Sequence, residues 1–320
     1  MQTQPAVGVL GLGIMGGAMA EALLAAGYEV FGYDPLASAR KRLKKAGGQP
    51  LAAGAAVARR AEVVIASLPT VAALDEVANG IVATGRPQRH PGLVVVETST
   101  LPLADKARAM KHLQRAGITM LDCPISGTAV RMKQGAWTIF ASGSRAAFKR
   151  ASPILNVFTR NVPYVGRFGN GTKMKYVANH LVAIYNVAAA EAITLARKMS
   201  LDPQQVLDLF GPSPVVGNGV LRLRGALMVA RKYVPATMKV EVWQKDMQVI
   251  GDMAKSVACP TPLFTACVPV YDAAMAQGFA REDTAAVCEV LGMLAGIGRP
   301  RSQKMNFSTP GSRAGGARPK

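Results

Sequence analysis

Apolar residues come in short runs over the first half of the chain and in long helical periods over the second. Residues 7–10 read as a buried strand, and the runs at 29–33, 63–68, 93–97, 118–123, 138–141 and 162–165 read the same way. Helical stretches lie between them, one before Gly27 and others at 37–46, 52–60, 71–77, 103–116 and 148–158. Strands alternating with helices at this spacing predict a mainly parallel, doubly wound sheet of the α/β class. The pattern changes after Gly166. Residues 172–199 follow a helical period, apolar on several sides, which predicts a helix buried among others. Further helices are expected at 203–209, 220–229, 242–257, 262–277 and 282–297. The expected organisation is an α/β domain over 1–166, an all-α C-terminal domain over 167–298, and a tail over 299–320 with little to bury, expected to be disordered.

The first strand runs into Gly11-Leu12-Gly13-Ile14-Met15-Gly16, a G-x-G-x-x-G pattern that opens a helix. Gly11 permits the tight turn, Gly13 lets backbone approach a pyrophosphate, and Gly16 lets helix and strand pack closely. The helix N-terminus offers free N–H groups to phosphate. The second strand ends on Asp34, at the distance where an acid binds the adenosine ribose. In a chain with 32 glycines the pattern alone is weak, but with its strand, helix and acid it predicts a Rossmann-type dinucleotide site. Asp34 favours NAD, since a 2′-phosphate would meet a carboxylate there. Arg40, Lys41 and Arg42 keep NADP as the second choice. Leu68-Pro69, Thr98-Ser99-Thr100 and the stretch from Cys123 to Thr128 follow strand ends, where such sheets bind ligands, and are expected to face the cofactor.

Composition narrows the setting. The chain has 320 residues, half of them hydrophobic, yet its most apolar stretch is broken by Asn186 and Glu191 and is too short to span a bilayer. No signal-peptide layout precedes the first strand. The four cysteines are scattered with no C-x-x-C pair, which fits a reducing cytoplasm and gives no metal site or disulfide framework. Net charge is +19, and the tail holds six basic residues and no acid. The basic residues are dispersed and no nucleic-acid module is legible, so a solvated surface that attracts anionic cofactor and substrate is favoured over a nucleic-acid partner.

Three later segments carry candidate chemistry. Ser126-Gly127, after a strand, reads as an anion pocket, a hydroxyl beside backbone N–H groups, or as a plain turn. Lys175 and Asn179 share one helix face. A lysine entering a closed cleft loses hydration, and Lys245 and Lys173 would add positive charge, so its pKa falls toward a value suited to proton exchange with a hydroxyl. On its own Lys175 reads more readily as a surface lysine, and Lys245 either as a cofactor or substrate contact or as a surface charge paired with Asp246.

Together these motifs resemble the β-hydroxyacid dehydrogenase family, which includes 3-hydroxyisobutyrate dehydrogenase, tartronate semialdehyde reductase and L-threonate dehydrogenase. The matching residues, in order, are Gly11, Gly13, Met15 and Gly16; Asp122, Pro124, Ser126 and Gly127; Gly169, Gly171, Lys175 and Asn179; and Lys245-Asp246. Pro262-Leu263 and Asp283 also fit, and the resemblance covers about residues 6–297. It implies Lys175 as general acid/base with Asn179 as its partner, Ser126, Gly127 and Thr128 at the substrate carboxylate, and Leu68, Pro69, Thr100 and Lys245 near a nicotinamide cofactor. It implies a small anionic hydroxy acid as substrate. Thr128 stands where the family has a small glycine, Ala178 replaces a polar residue, and the basic tail has no family counterpart. The buried long helix points to a homodimer or larger assembly. Two other classes stay open: an imine or glyoxylate-type reductase of the same fold, and a non-catalytic NAD-binding scaffold whose tail binds nucleic acid.

Overall fold

The computed structural model describes residues 4–85, 90, 92–127, 132 and 135–298, so Thr128 and the tail 299–320 lie outside the described residues. The first half alternates β1 (Val7–Leu10), α1 (Ile14–Ala25), β2 (Val30–Tyr33), α2 (Ala37–Lys45), β3 (Gln49–Pro50), α3 (Gly54–Arg60), β4 (Val63–Ala66), α4 (Val71–Ala83), β5 (Val94–Glu97), α5 (Leu103–Arg115) and β6 (Thr119–Asp122). The six strands form one parallel sheet in the order β3-β2-β1-β4-β5-β6. Strands β1, β4 and β5 are buried along their whole length, which is why they read as unbroken apolar runs. Val7 pairs with Val63, Val63 with Val94 and Val94 with Thr119, so the carboxyl ends at Leu10, Ala66, Glu97 and Asp122 stand level. The strand order reverses between β1 and β4, and the crevice there is where doubly wound sheets bind ligands.

Two expected strands do not join this sheet. Residues 138–141 supply β8 (Thr138–Ile139), which pairs antiparallel with the unforeseen β7 (Ile125–Ser126), while 162–165 contribute only a bridge from Tyr164 to Ala141. The runs are buried, with Ile139 and Ala141 wholly enclosed, but burial does not specify a partner. The chain doubles back after β6 because Asp122 and Ser142 exchange backbone hydrogen bonds of 2.9 and 2.8 Å.

After α6 (Arg145–Leu155) the rest of the described chain has no further sheet strand. It comprises α7 (Asn170–Lys198), α8 (Pro203–Phe210), α9 (Gly219–Ala230), α10 (Val240–Ser256), α11 (Pro262–Ala276) and α12 (Val287–Leu294). Helix α7 runs through the middle, and its Ala183, Ala189, Ala190 and Ile193 lie in the helical core. It is not buried all round as expected, because Met174, Val177, Leu181 and Tyr185 remain exposed along one stripe. The single helix expected over 282–297 is interrupted. Asp283 caps a 3-10 turn at Thr284–Ala286 and is itself tied to Thr237, so the α-helix begins only at Val287.

Helix α7 is docked on the sheet by a buried charge cluster. Gly169 turns into the helix with φ of 92°, a left-handed conformation that suits glycine. A side chain at Gly171 would collide with the carbonyls of Phe140 and Asp122, so the helix start lies flush on the end of β6. No side chain of the helix's own N-cap residue caps it. Asp122 does so from the sheet, accepting from Thr172 N at 2.8 Å and from its hydroxyl at 2.7 Å. Lys106 Nζ, with no solvent exposure, donates to Asp122 at 2.5 Å, Thr172 Oγ1 at 2.9 Å and the Ser99 carbonyl at 3.1 Å. It also lies 2.6 Å from Glu97 Oε2. Burial works against the ammonium, but Glu97 and Asp122 outweigh it and hold its pKa above the ordinary value.

Removing the cation leaves two carboxylates buried without it. Lys106→Met is therefore expected to lower unfolding stability by about 3–5 kcal/mol, read as a shifted urea midpoint. A loss below about 1 kcal/mol, the range of a surface ion pair, would contradict this reading of the cluster.

Candidate active site

The glycine loop after β1 is shaped for a dinucleotide. Gly11 has φ of 86°, and a Cβ there would strike the Ser67 carbonyl on β4's exit. A Cβ at Gly16 would strike the Gly11 carbonyl, which explains the close helix–strand contact. At Gly13 a Cβ would meet nothing within 4 Å, so this face of the loop is open. Gly13 is the N-cap of α1 and supplies no side chain, and no acid stands in the first turn, leaving the helix N-terminus to an outside anion. Leu12 is buried beneath the loop, while Ile14 is 81% exposed at its mouth.

Asp34 directly follows β2 beside this loop and is only 8% exposed. Its carboxylate accepts from Leu12 N and from Leu36 N, both at 2.8 Å, so it holds the glycine loop in shape. The nearby arginines are committed to the backbone. Arg40 donates to the carbonyls of Asp34 and Pro35 at 2.5 and 2.9 Å, and Arg42 to that of Leu12 at 3.3 Å. This set of groups fits the pyrophosphate and adenosine ribose of NAD(P).

At the level strand ends a cavity of about 190 Å³ is lined by Met15, Leu68, Thr98, Ser99, Thr100 and Gly127 from the sheet side. Lys175, Met238, Val242, Lys245 and Asp246 close it from the helical side. Nine sequence-predicted residues thus meet in one space: Met15, Leu68, Thr98, Ser99, Thr100, Ile125, Gly127, Lys175 and Lys245. Pro69, Ser126 and Asn179 are not in its lining. Ser126 sits in β7 between the lining residues Ile125 and Gly127. Gly127 has φ of 138°, and a side chain there would collide with the Trp137 ring.

Lys175 lies one helical turn past Thr172, so the charge cluster fixes where it stands. It is 8% exposed, and no hydrogen bond to its Nζ is found among the described residues. Burial pulls its pKa from 10.5 down to about 8; Asp246 opposes this, and Arg224 and Lys245 add to it. Lys173 plays no part, contrary to expectation, because it points to solvent from the opposite face of the helix. The cation that the sequence did not reveal is Arg224 on α9.

Asn179 is buried next to Lys175 and donates to Asp246 Oδ2 at 2.8 Å. Burial raises the Asp246 pKa, against Lys245, Lys175 and Asn179, which lower it. Lys245 spans the cleft and donates to the Thr100 carbonyl at 2.6 Å, while its Nζ is 3.7 Å from Asp246 Oδ1. Both readings of Lys245 therefore hold at once: it lines the cavity and it pairs with Asp246.

Sequence reasoning missed the roles of Glu97, Lys106 and Arg224, and the bond that Ser99 makes besides lining the cavity. Ser99 Oγ accepts from Leu68 N at 2.8 Å and joins two strand-end loops. For the two cations a signal exists in the helical period. Lys106 shares its face with the buried Ala109 and Leu113, and Arg224 shares its face with Leu221, Gly225 and Met228. A charge on an apolar face marks a buried ionic contact.

Comparison with known proteins matches this geometry. A family model described as the NAD binding domain of 6-phosphogluconate dehydrogenase matches residues 6–166. Another, described as NAD-binding of NADP-dependent 3-hydroxyisobutyrate dehydrogenase, matches 169–291. An L-threonate dehydrogenase of Cupriavidus necator is 30% identical over 289 residues, covering 89% of this chain and 95% of the relative. Human mitochondrial 3-hydroxyisobutyrate dehydrogenase is 29% identical over 301 residues, covering 89% and 86%. A solved 3-hydroxyisobutyrate dehydrogenase from Salmonella typhimurium superposes with a TM-score of 0.80 at 28% identity, covering 90% of this chain and 100% of that one. The chain belongs to the β-hydroxyacid dehydrogenase family, NAD(P)-dependent oxidoreductases of the 3-hydroxyisobutyrate dehydrogenase type that act on CH–OH groups.

Proposed function

We propose that this enzyme oxidises a small hydroxy acid of the 3-hydroxyisobutyrate, threonate or glycerate type, with Lys175 exchanging the hydroxyl proton. The observation that carries this is a buried lysine with no hydrogen-bond partner among the described residues, in a cavity shared with the glycine-loop helix and three strand ends. A nicotinamide cofactor held at this site would supply the redox chemistry, hydride transfer. The chain's own residues do the rest. Near neutral pH and above, a growing share of Lys175 is the free amine, which takes the hydroxyl proton during oxidation. In reduction the ammonium returns it to the forming alkoxide. Asn179, held by Asp246, orients the lysine or the substrate. Ser126 and Gly127, with Thr128 following, receive the substrate carboxylate on hydroxyl and backbone N–H groups. Leu68, Pro69, Thr100 and Lys245 would hold the nicotinamide end of the cofactor, and Gly11, Leu12, Gly13, Ile14, Met15 and Gly16 its pyrophosphate.

In this reading residues 1–166 are the cofactor domain and 167–298 the substrate and dimerisation domain. The exposed stripe of Met174, Val177, Leu181 and Tyr185 is the surface that a second copy would cover. A cytoplasmic location is supported by the free cysteines. Among the described residues no helix is long and apolar enough to cross a membrane. The imine-reductase alternative is not favoured, since Lys175 is in place in the cleft, and neither is the nucleic-acid scaffold. NAD is favoured over NADP because a 2′-phosphate would meet the Asp34 carboxylate, while Arg40 and Arg42 are taken up by backbone carbonyls.

Two outcomes are expected. Lys175→Ala should lose roughly 10²–10⁴-fold in kcat while NADH titrates with unchanged affinity. Retained turnover would remove the lysine from the reaction. Steady-state kinetics should give NAD+ at least about tenfold the kcat/KM of NADP+, the discrimination of one mismatched charge contact; the reverse preference would show that Arg40 or Arg42 leaves its carbonyls to bind a 2′-phosphate.

A further inference from the structure

Three successive carbonyls beyond the end of β5 are held by side chains from three different helices. The Ser99 carbonyl accepts from Lys106 Nζ on α5 at 3.1 Å, and that of Thr100 from Lys245 Nζ on α10 at 2.6 Å. The Leu101 carbonyl accepts from the Tyr176 hydroxyl on α7 at 2.7 Å. Pairing of β5 with β6 stops at Glu97, so these carbonyls have left the sheet ladder. The shape of residues 99–101 therefore rests on donors from outside the strand.

Two of the three donors have other partners. Lys106 is the centre of the buried charge cluster, and Lys245 is shared with Asp246. Tyr176 is neutral and joins the two halves of the molecule. Its ring is buried in the helical core, while its hydroxyl reaches a loop of the sheet half 75 residues away in sequence. Burial pushes the phenol above its ordinary value, so it stays a donor over the range in which Lys175 titrates. Tyr176 directly follows Lys175, and Leu101 directly follows Thr100. Lys175 and Thr100 line the same cavity from its helical and sheet sides. The hydroxyl thus sets the width of the cavity where the strand-end wall faces the amine.

Resting on the reading of the site given above, we propose that Tyr176 is a positioning residue, whose hydroxyl holds the 99–101 loop at a set distance from Lys175 and so shapes the wall that receives the nicotinamide end of the cofactor. Tyr176 is not in the lining of the cavity and acts through Thr100. Without the hydroxyl, the buried Leu101 carbonyl loses its donor and the loop is free to rearrange. A cofactor must then order the loop as it binds, and that cost falls only on the part of the cofactor that touches it.

The test compares the wild-type enzyme with Tyr176→Phe, which keeps the ring in the core and removes only the hydroxyl. Each is titrated calorimetrically with NADH and separately with ADP-ribose, which carries the adenosine, the pyrophosphate and the second ribose but no nicotinamide. The variant is expected to bind NADH roughly 3- to 10-fold more weakly and ADP-ribose within about twofold of wild type. Tyr176→Met carries the same comparison if the Phe variant does not fold. Equal weakening of both ligands, as a merely structural bond would give, or an unchanged affinity for NADH, would overturn the assignment. Turnover of small hydroxy acids by the wild-type enzyme is measured in parallel. Absence of NADH formation there counts against the proposed reaction, whereas the two titrations contain no hydroxy acid and their ratio reads Tyr176 alone.

Discussion

Everything at this site depends on one buried ionic contact, that of Lys106 with Glu97 and Asp122. Glu97 ends β5, Asp122 ends β6 and Lys106 comes from the helix between them. An isolated ion pair in a protein interior is weak evidence for stability, because desolvation offsets attraction. This one is not isolated. Asp122 also takes two hydrogen bonds from Thr172, and Lys106 also donates to Thr172 and Ser99. The contact therefore ties two strand ends, the Ser99 loop and the first turn of α7 into one unit. Lys175 follows Thr172 by three residues and inherits that position.

Placement and chemistry are linked through burial. The fixed position takes Lys175 out of water, and that loss of hydration is the largest influence on its pKa. Asp246 alone would keep the ammonium charged. Arg224 and Lys245 counter it, and Asn179 occupies one Asp246 oxygen. The helical half thus acts as an electrostatic wall around a single amine. The sheet half supplies the level strand ends and the open glycine loop that bring a cofactor to it.

Much of this was legible in the sequence, for physical reasons. Strands buried on both faces leave unbroken apolar runs, so β1, β4 and β5 were found nearly to the residue. The glycine loop was legible because Gly11 and Gly16 are places where a Cβ cannot fit. What was not legible is pairing. Residues 138–141 looked like another parallel strand, yet their partner is Ile125-Ser126, chosen by the turn after Asp122. Charge was misread for a similar reason. Lys173 was nearer in sequence to Lys175 than Arg224 is, but two residues along a helix point to different faces, while α9 packs directly on α7. Lys106 and Arg224 were hidden as ordinary basic residues in a chain that carries 38 of them.

The central claim is that Lys175 works as a buried amine with its pKa brought to about 8. Oxidation needs the free amine, so below that pKa activity falls as the lysine takes up a proton. The most direct measurement is kcat/KM for hydroxy-acid oxidation with saturating NAD+ across pH 6 to 11, with binding of NAD+ followed over the same range. The account predicts a rate that climbs with pH and levels off above an inflection near 8. An inflection that stays near 10.5, the value of a solvated lysine, or a rate that does not change with pH, would contradict it.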